Sequence, residues 1–254
     1  MRCCLIALTL ALLSCRPAAP APDDDNAHVN ASSGRLESSG VKTERGGPVG
    51  ALQTDCGLGG ALPDGSYQFV STCAGRSVSP DGRFAVVQKA YQSEQPPVEL
   101  QDRSGRTLAT LTSISDDMPF TVHWAPNSRR FFVNHHVGSF MSAIHFFRVD
   151  GGSAVEERKL AASAVREAVR RYPCLRPSSV HPRGMRWSVD SRRIILVTAS
   201  AAYACSLYGV TSGKFEPLWM IGDVGSGRID AGSVRPPPDG GPFRLPTDGP
   251  YADF

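Results

Sequence analysis

One turn recurs three times along the chain and constrains the fold more than any other feature. Val78-Ser-Pro-Asp-Gly-Arg-Phe-Ala-Val-Val87 reappears as Trp124-Ala-Pro-Asn-Ser-Arg-Arg-Phe-Phe-Val133 and as Trp187-Ser-Val-Asp-Ser-Arg-Arg-Ile-Ile-Leu196. In each copy a bulky residue precedes a small one, a tight turn and then a β-branched or aromatic run. Proline at the second turn position presets φ, and Asp or Asn tolerates the bend that follows. The run after the turn has strand composition.

A second turn follows each copy at a matching distance: Asp102-Arg-Ser-Gly105, Asp150-Gly-Gly152 and Thr211-Ser-Gly213. Short apolar runs flank these turns, such as His145-Phe-Phe-Arg-Val149 before Asp150 and Ala154-Val155 after it. Units of about 40 residues with four short strands and turns at fixed offsets follow a propeller-blade pattern. The Trp/Val-Ser/Ala-Pro-Asp-Gly/Ser-Arg turn with a downstream Asp-x-x-Gly resembles the repeat of TolB-type and WD-repeat-like β-propellers. That resemblance spans Arg76 to Trp219 and implies an all-β fold, mainly a propeller-like stack of three four-stranded antiparallel blades. The chain departs from the family in two respects. Closed propellers have about four to eight blades, and the third copy has Val189 where the turn proline belongs. A fourth blade is available from Leu52 to Cys73, where Leu62-Pro-Asp-Gly65 precedes Tyr67-Gln-Phe69, combined with a strand near Met220.

One inserted helix near 160–172 interrupts the pattern. Ala161, Val165, Ala168, Val169 and Tyr172 fall on one face at helical spacing, Glu167 and Arg171 make an i,i+4 pair, and Pro173 stops it. The insertion accounts for the late start of the third copy. The stretch 223–254 is rich in Gly and Pro and reads as a loose tail, with packing against the sheets as an alternative.

The opposite end of the chain carries an address. Arg2 precedes the uncharged run Cys3 to Cys15, too short to span a bilayer. Its close, Leu12-Leu-Ser-Cys15, resembles the bacterial lipobox, which implies cleavage after Ser14 and lipid on Cys15. The alternative is an ordinary cleaved signal in which Cys15 is incidental. With residues 1–14 as lipoprotein signal peptide, 15–50 becomes a lipid-anchored linker, poor in aliphatic residues and unable to offset its ordering entropy. A coil of that length spans roughly 30 to 35 Å. In enteric-type lipoproteins an aspartate after the cysteine signals retention in the inner membrane; with Arg16 there instead, the resemblance implies the outer membrane, facing the periplasm. The folded region is then the propeller-like domain 51–222.

Four of the seven cysteines, Cys56, Cys73, Cys174 and Cys205, fall in that folded region. An even number in an exported domain points to two disulfides. Of three connectivities, Cys56–Cys73 with Cys174–Cys205 is the most local; free thiols or a metal site are the alternatives. His123, His135, His136 and His145 cluster in the second copy. Adjacent strand positions such as His135 and His136 point to opposite faces, so they do not simply share a metal. No metal or other cofactor is expected. Trp124 and Trp187 read as sheet core. Arg129, Arg130, Arg192 and Arg193, in one register after the turn, form a candidate electropositive binding rim.

Composition narrows the function classes. The chain is 41% apolar and 20% charged, with net charge +3, which makes no electrostatic case for nucleic acid. No Gly-x-Ser-x-Gly elbow or calcium loop is present. The expectation is a membrane-anchored periplasmic lipoprotein, not an enzyme, that binds a protein partner of the cell envelope through its loops. The alternatives are an immunity or inhibitor lipoprotein against a periplasmic toxin, or an enzyme with a site between blades.

Overall fold

All three copies of the turn close with the same hydrogen bonds in the computed structural model, which describes residues 59–70, 73–90, 97–114, 118–138, 141–200, 216–237 and 245–254. These belong to one unit of the chain, Pro48–Phe254. The fourth residue of each turn donates its N–H to the first: Gly82 to Ser79 O at 2.8 Å, Ser128 to Ala125 O at 2.9 Å and Ser191 to Ser188 O at 2.9 Å. The side chain of the third residue then accepts the N–H two positions on, from Arg83 to Asp81, Arg129 to Asn127 and Arg192 to Asp190. Gly82, Ser128 and Ser191 all adopt positive φ, at 70°, 59° and 61°. Val189 replaces proline at a solvent-exposed corner, so no packing depends on the missing ring.

These turns join strands into three antiparallel sheets. A hairpin of β1 (Gly60–Ala61) and β2 (Tyr67–Phe69) comes first, followed by β3 (Gly75–Val78), β4 (Phe84–Gln88), β5 (Glu99–Asp102) and β6 (Thr107–Thr110). Next come β7 (Phe120–Trp124), β8 (Arg130–Gly138), β9 (Met141–Asp150) and β10 (Ser153–Glu156), then helix α1 (Lys159–Arg171). The last strands are β11 (Val180–Trp187), β12 (Arg193–Ser200), β13 (Leu218–Asp223) and β14 (Arg228–Ile229). One sheet runs β3-β4-β5-β6, one β11-β12-β13-β14, and between them a six-stranded sheet runs β1-β2-β7-β8-β9-β10.

The middle sheet buries both faces, as its strand alternation requires. Phe131, Val133 and Phe147 join Val86 and Leu100 in one core; Phe132, Ile144 and Phe146 join Ile194, Leu196 and Met220 in another. The far face of the β11–β14 sheet, with Ile195, Val197 and Trp219, is covered by Tyr251, Leu245 and Phe254 from the C-terminal segment.

Equivalent contacts link consecutive sheets. Trp124 Nε1 donates to Ser77 O (3.3 Å), and Trp187 Nε1 donates to His123 O (3.0 Å). Ser77 and His123 each sit one residue before the position that opens their own copy. The Ser128 hydroxyl accepts from Asp81 N, and the Ser191 hydroxyl from Asn127 N, both at 3.0 Å. Thus each copy grips the one before it through the same two positions.

Several expectations need correction. The segments offered as a fourth blade do not form one: β2 pairs with β7 in the middle sheet, and Met220 lies in β13. The second turn of the third unit is not Thr211-Ser-Gly213, which lies outside the described residues. It is the turn after Asp223, where Gly227 N donates to Asp223 O (2.9 Å) between β13 and β14. The chain inserts 201–215 between β12 and β13, which displaces the turn downstream. The boundary at 222/223 therefore falls inside a sheet. Glu167 pairs with Arg170, at i,i+3, rather than with Arg171. The helix buries Leu160, Ala164 and Ala168 most deeply, and the predicted Ala161, Val165, Val169 and Tyr172 flank that row. Leu160 sets this rotation by filling the space left by Gly222, where a Cβ would stand 2.5 Å from Leu160 Cδ1.

Candidate functional site

Pairing of β2 with β7 brings the Leu62-Pro-Asp-Gly65 turn beside the ends of β7 and β11. There Asp64, His123, Trp124, Met185, Arg186 and Trp187 line a cleft of about 390 Å³, with Leu245 of the C-terminal segment at its side. A register shift between Gly184 and Arg186 in β11 re-aims the strand at this point. Both indole N–H groups are already used on backbone carbonyls of the preceding sheet. Trp124 also leans on Phe131 and Trp187 on Phe132, with centroids 4.7 and 5.7 Å apart. The rings are therefore fixed in place with no polar demand left.

Asp64 accepts from Ser66 N at 2.9 Å and from the Ser66 hydroxyl at 2.6 Å, both on Oδ1. Among the described residues nothing donates to Oδ2. Burial works to raise this carboxyl, but the Ser66 bonds and His123 together hold it below the usual range. His123 stacks on Phe132 with centroids 4.3 Å apart and makes no hydrogen bond through its ring among the described residues. Burial drives its pKa down to about 4; Asp64 draws it up and Arg183 pushes it down. At neutral pH the cleft thus holds a carboxylate beside an uncharged imidazole that both donates and accepts. Arg183, just behind, is lowered by burial and raised by Asp64, and among the described residues its Nε has no hydrogen-bond partner.

The other sequence candidates are dispersed. His135 is buried, whereas His136 on the opposite face is half-buried and lowered by burial and by Arg183. His145 Nδ1 lies 2.9 Å from Glu156 Oε1. Among the described residues no three His, Cys, Asp or Glu converge to hold a metal ion. The four rim arginines differ in their surroundings. Arg130 pairs with Glu157 at 3.4 Å, and Arg193 lies 5.2 Å over the Phe254 ring and 3.9 Å from Asp253. Arg129 and Arg192 are exposed. Cys73 and Cys174 are disulfide-bonded; Cys15, Cys56 and Cys205 lie outside the described residues, so the pairing stays an expectation.

Sequence reasoning missed Asp64 as a site residue and placed its turn in another sheet. It also missed Asn134, which is buried and matches the backbone of Gly184 with two bonds of 2.8 Å. Gln88 occupies the equivalent position in the first copy and donates to Val70 O (2.9 Å) and Cys73 O (3.2 Å). Aligning the copies sets these two amides in one column, a signal present in the sequence. No protein-family model matches the chain, and no curated protein is similar enough to it to mark a relative.

Proposed function

We propose that the chain is a lipid-anchored, non-catalytic binding module of the bacterial cell envelope, whose ligand enters the tryptophan-flanked cleft. The carrying observation is the cleft itself: two fixed indole rings beside Asp64 Oδ2 and His123, polar groups left without protein partners. Asp64 is exposed and His123 half-buried, so both are open to a ligand, which can exchange their bonds with water for bonds of its own. Concave sites that combine apolar faces with a few convergent polar groups are the usual form of a small-molecule site, and this cleft brings the two together in similar measure. We read the three sheets as an open propeller-like stack, because the tryptophan and serine contacts repeat from sheet to sheet at the same positions. Anchoring is supported by Leu12-Leu-Ser-Cys15 behind a short apolar leader, and export by the cysteine count.

Two measurements test this reading. Expressed as the full chain in a diderm bacterium, wild type should partition into detergent with the membrane fraction, and Cys15→Ala should be soluble or unprocessed. Crosslinking in the envelope should trap a component that is lost in Arg186→Ala. If Cys15→Ala still partitions like wild type with its leader removed, the anchor is wrong. If Arg186→Ala traps the same component at the same yield, the cleft is not the binding site.

A further inference from the structure

We propose that the cleft takes a neutral saccharide, with a pyranose ring against the indoles and hydroxyls bridging Asp64, His123 and Arg186. This rests on the binding-module reading above and names the chemistry of its ligand. A pyranose has two kinds of surface: ring faces of C–H groups and a rim of hydroxyls that each donate and accept. The cleft has the same division. Trp124 and Met185, both half-buried, supply apolar area beside the deeper Trp187, and the spent Trp124 N–H leaves that ring to act through its face.

The polar groups are matched to hydroxyls rather than to a charged ligand. Asp64 Oδ2 only accepts, the Arg186 guanidinium only donates, and neutral His123 does both. Neighbouring hydroxyls on one ring satisfy such a set. Arg186 is exposed, and its only bond among the described residues, to Phe254 O, is 3.5 Å long, so it is available to a ligand. A cationic ligand would find aromatic faces but would also meet Arg186 and the buried charge of Arg183. An anionic ligand would meet the Asp64 carboxylate in the cleft wall. With one carboxylate and one guanidinium lining it, the cleft itself is near neutral. A purely apolar ligand would leave Asp64 and His123 unpaired, the arrangement by which sites reject analogues lacking a hydroxyl. The volume of about 390 Å³ lies at the small end of ligand pockets and suits one or two sugar residues.

The test is tryptophan fluorescence and titration calorimetry of the folded, full-length protein with triacetylchitotriose, cellotriose, trigalacturonate and tri-arginine as probes. At least one neutral trisaccharide should shift the emission and release heat. Asp64→Asn and Arg186→Ala should each weaken that binding about tenfold with melting temperatures close to wild type. The assignment is overturned if only trigalacturonate or tri-arginine binds, if no probe binds, or if the two variants bind the neutral sugar as tightly as wild type. The envelope crosslink separates the two failures. Should Arg186→Ala abolish that crosslink while no sugar binds or competes, the saccharide is wrong and the binding module stands; should it persist in the variant and no sugar bind, both fall.

Discussion

Ser191 is a critical test of how the sheets are joined, because its two contributions can be separated by two substitutions. Its hydroxyl accepts from Asn127 N at 3.0 Å, tying the third turn to the second, while its backbone sits at φ 61°. Alanine removes the acceptor and keeps a Cβ in the left-handed region. Asn127 lies at an exposed turn where water can reach the freed N–H, so the loss falls at the low end of hydrogen-bond values, about 1 kcal/mol. Glycine loses the same bond but relieves left-handed strain of roughly 1 kcal/mol. Ser191→Ala should therefore be less stable than Ser191→Gly by about 1 kcal/mol, or roughly 2 to 4 °C for a unit of this size. Ser128, with the same geometry toward Asp81, should show the same order. Equilibrium urea unfolding followed by tryptophan fluorescence measures both pairs. If glycine proves as damaging as alanine at both sites, or if all four variants match wild type, the repeated clamp does not bear on stability and the argument fails.

Trp187→Ala removes a buried indole and leaves a cavity, at about 3 to 5 kcal/mol, whereas exposed Arg192→Ala should stay within about 0.5 kcal/mol; thermal melts of equal size would contradict this. Gly184→Ala would set a Cβ 2.7 Å from Phe132 Cε2 and disturb the Asn134 pairing, with an expected cost of about 1 to 3 kcal/mol by denaturation; an unchanged midpoint would show that the sheets can separate there freely. His123 titrates near 4 when folded and near 6.5 when unfolded, so the unfolded chain binds more protons between those values. Stability should be complete above pH 6.5 and fall as pH drops toward 4, by up to about 3 kcal/mol from this residue; His136 and His181, also lowered by burial, act in the same direction. His123→Gln should flatten the pH dependence of the melting temperature, and an undiminished slope would mean that His123 is not its source.

The features legible in the sequence are those settled within about six residues. Ser79-Pro-Asp-Gly82 and its two counterparts close on bonds between their own atoms, so their residue types report them directly. The strands that follow, and a helix stopped by Pro173, are local in the same sense. Which strands pair is another matter. The Leu62-Pro-Asp-Gly65 hairpin resembles any other β-turn, and only the packing of Tyr67 and Phe69 against Phe120 and Val86 sets it beside β7 rather than in a further sheet. That choice also creates the cleft, since Asp64 and His123 are 59 residues apart in the chain. The second turn of the third unit was misplaced, and Leu160 and Ala164 were missed on a helix face otherwise read correctly, for a related reason. An insertion between β12 and β13 breaks the spacing, and Gly222 sets the helix face by the side chain it lacks. Local hydrogen bonds and φ preferences are properties of short segments, whereas sheet partners and helix faces are decided by which distant apolar surfaces can be buried together.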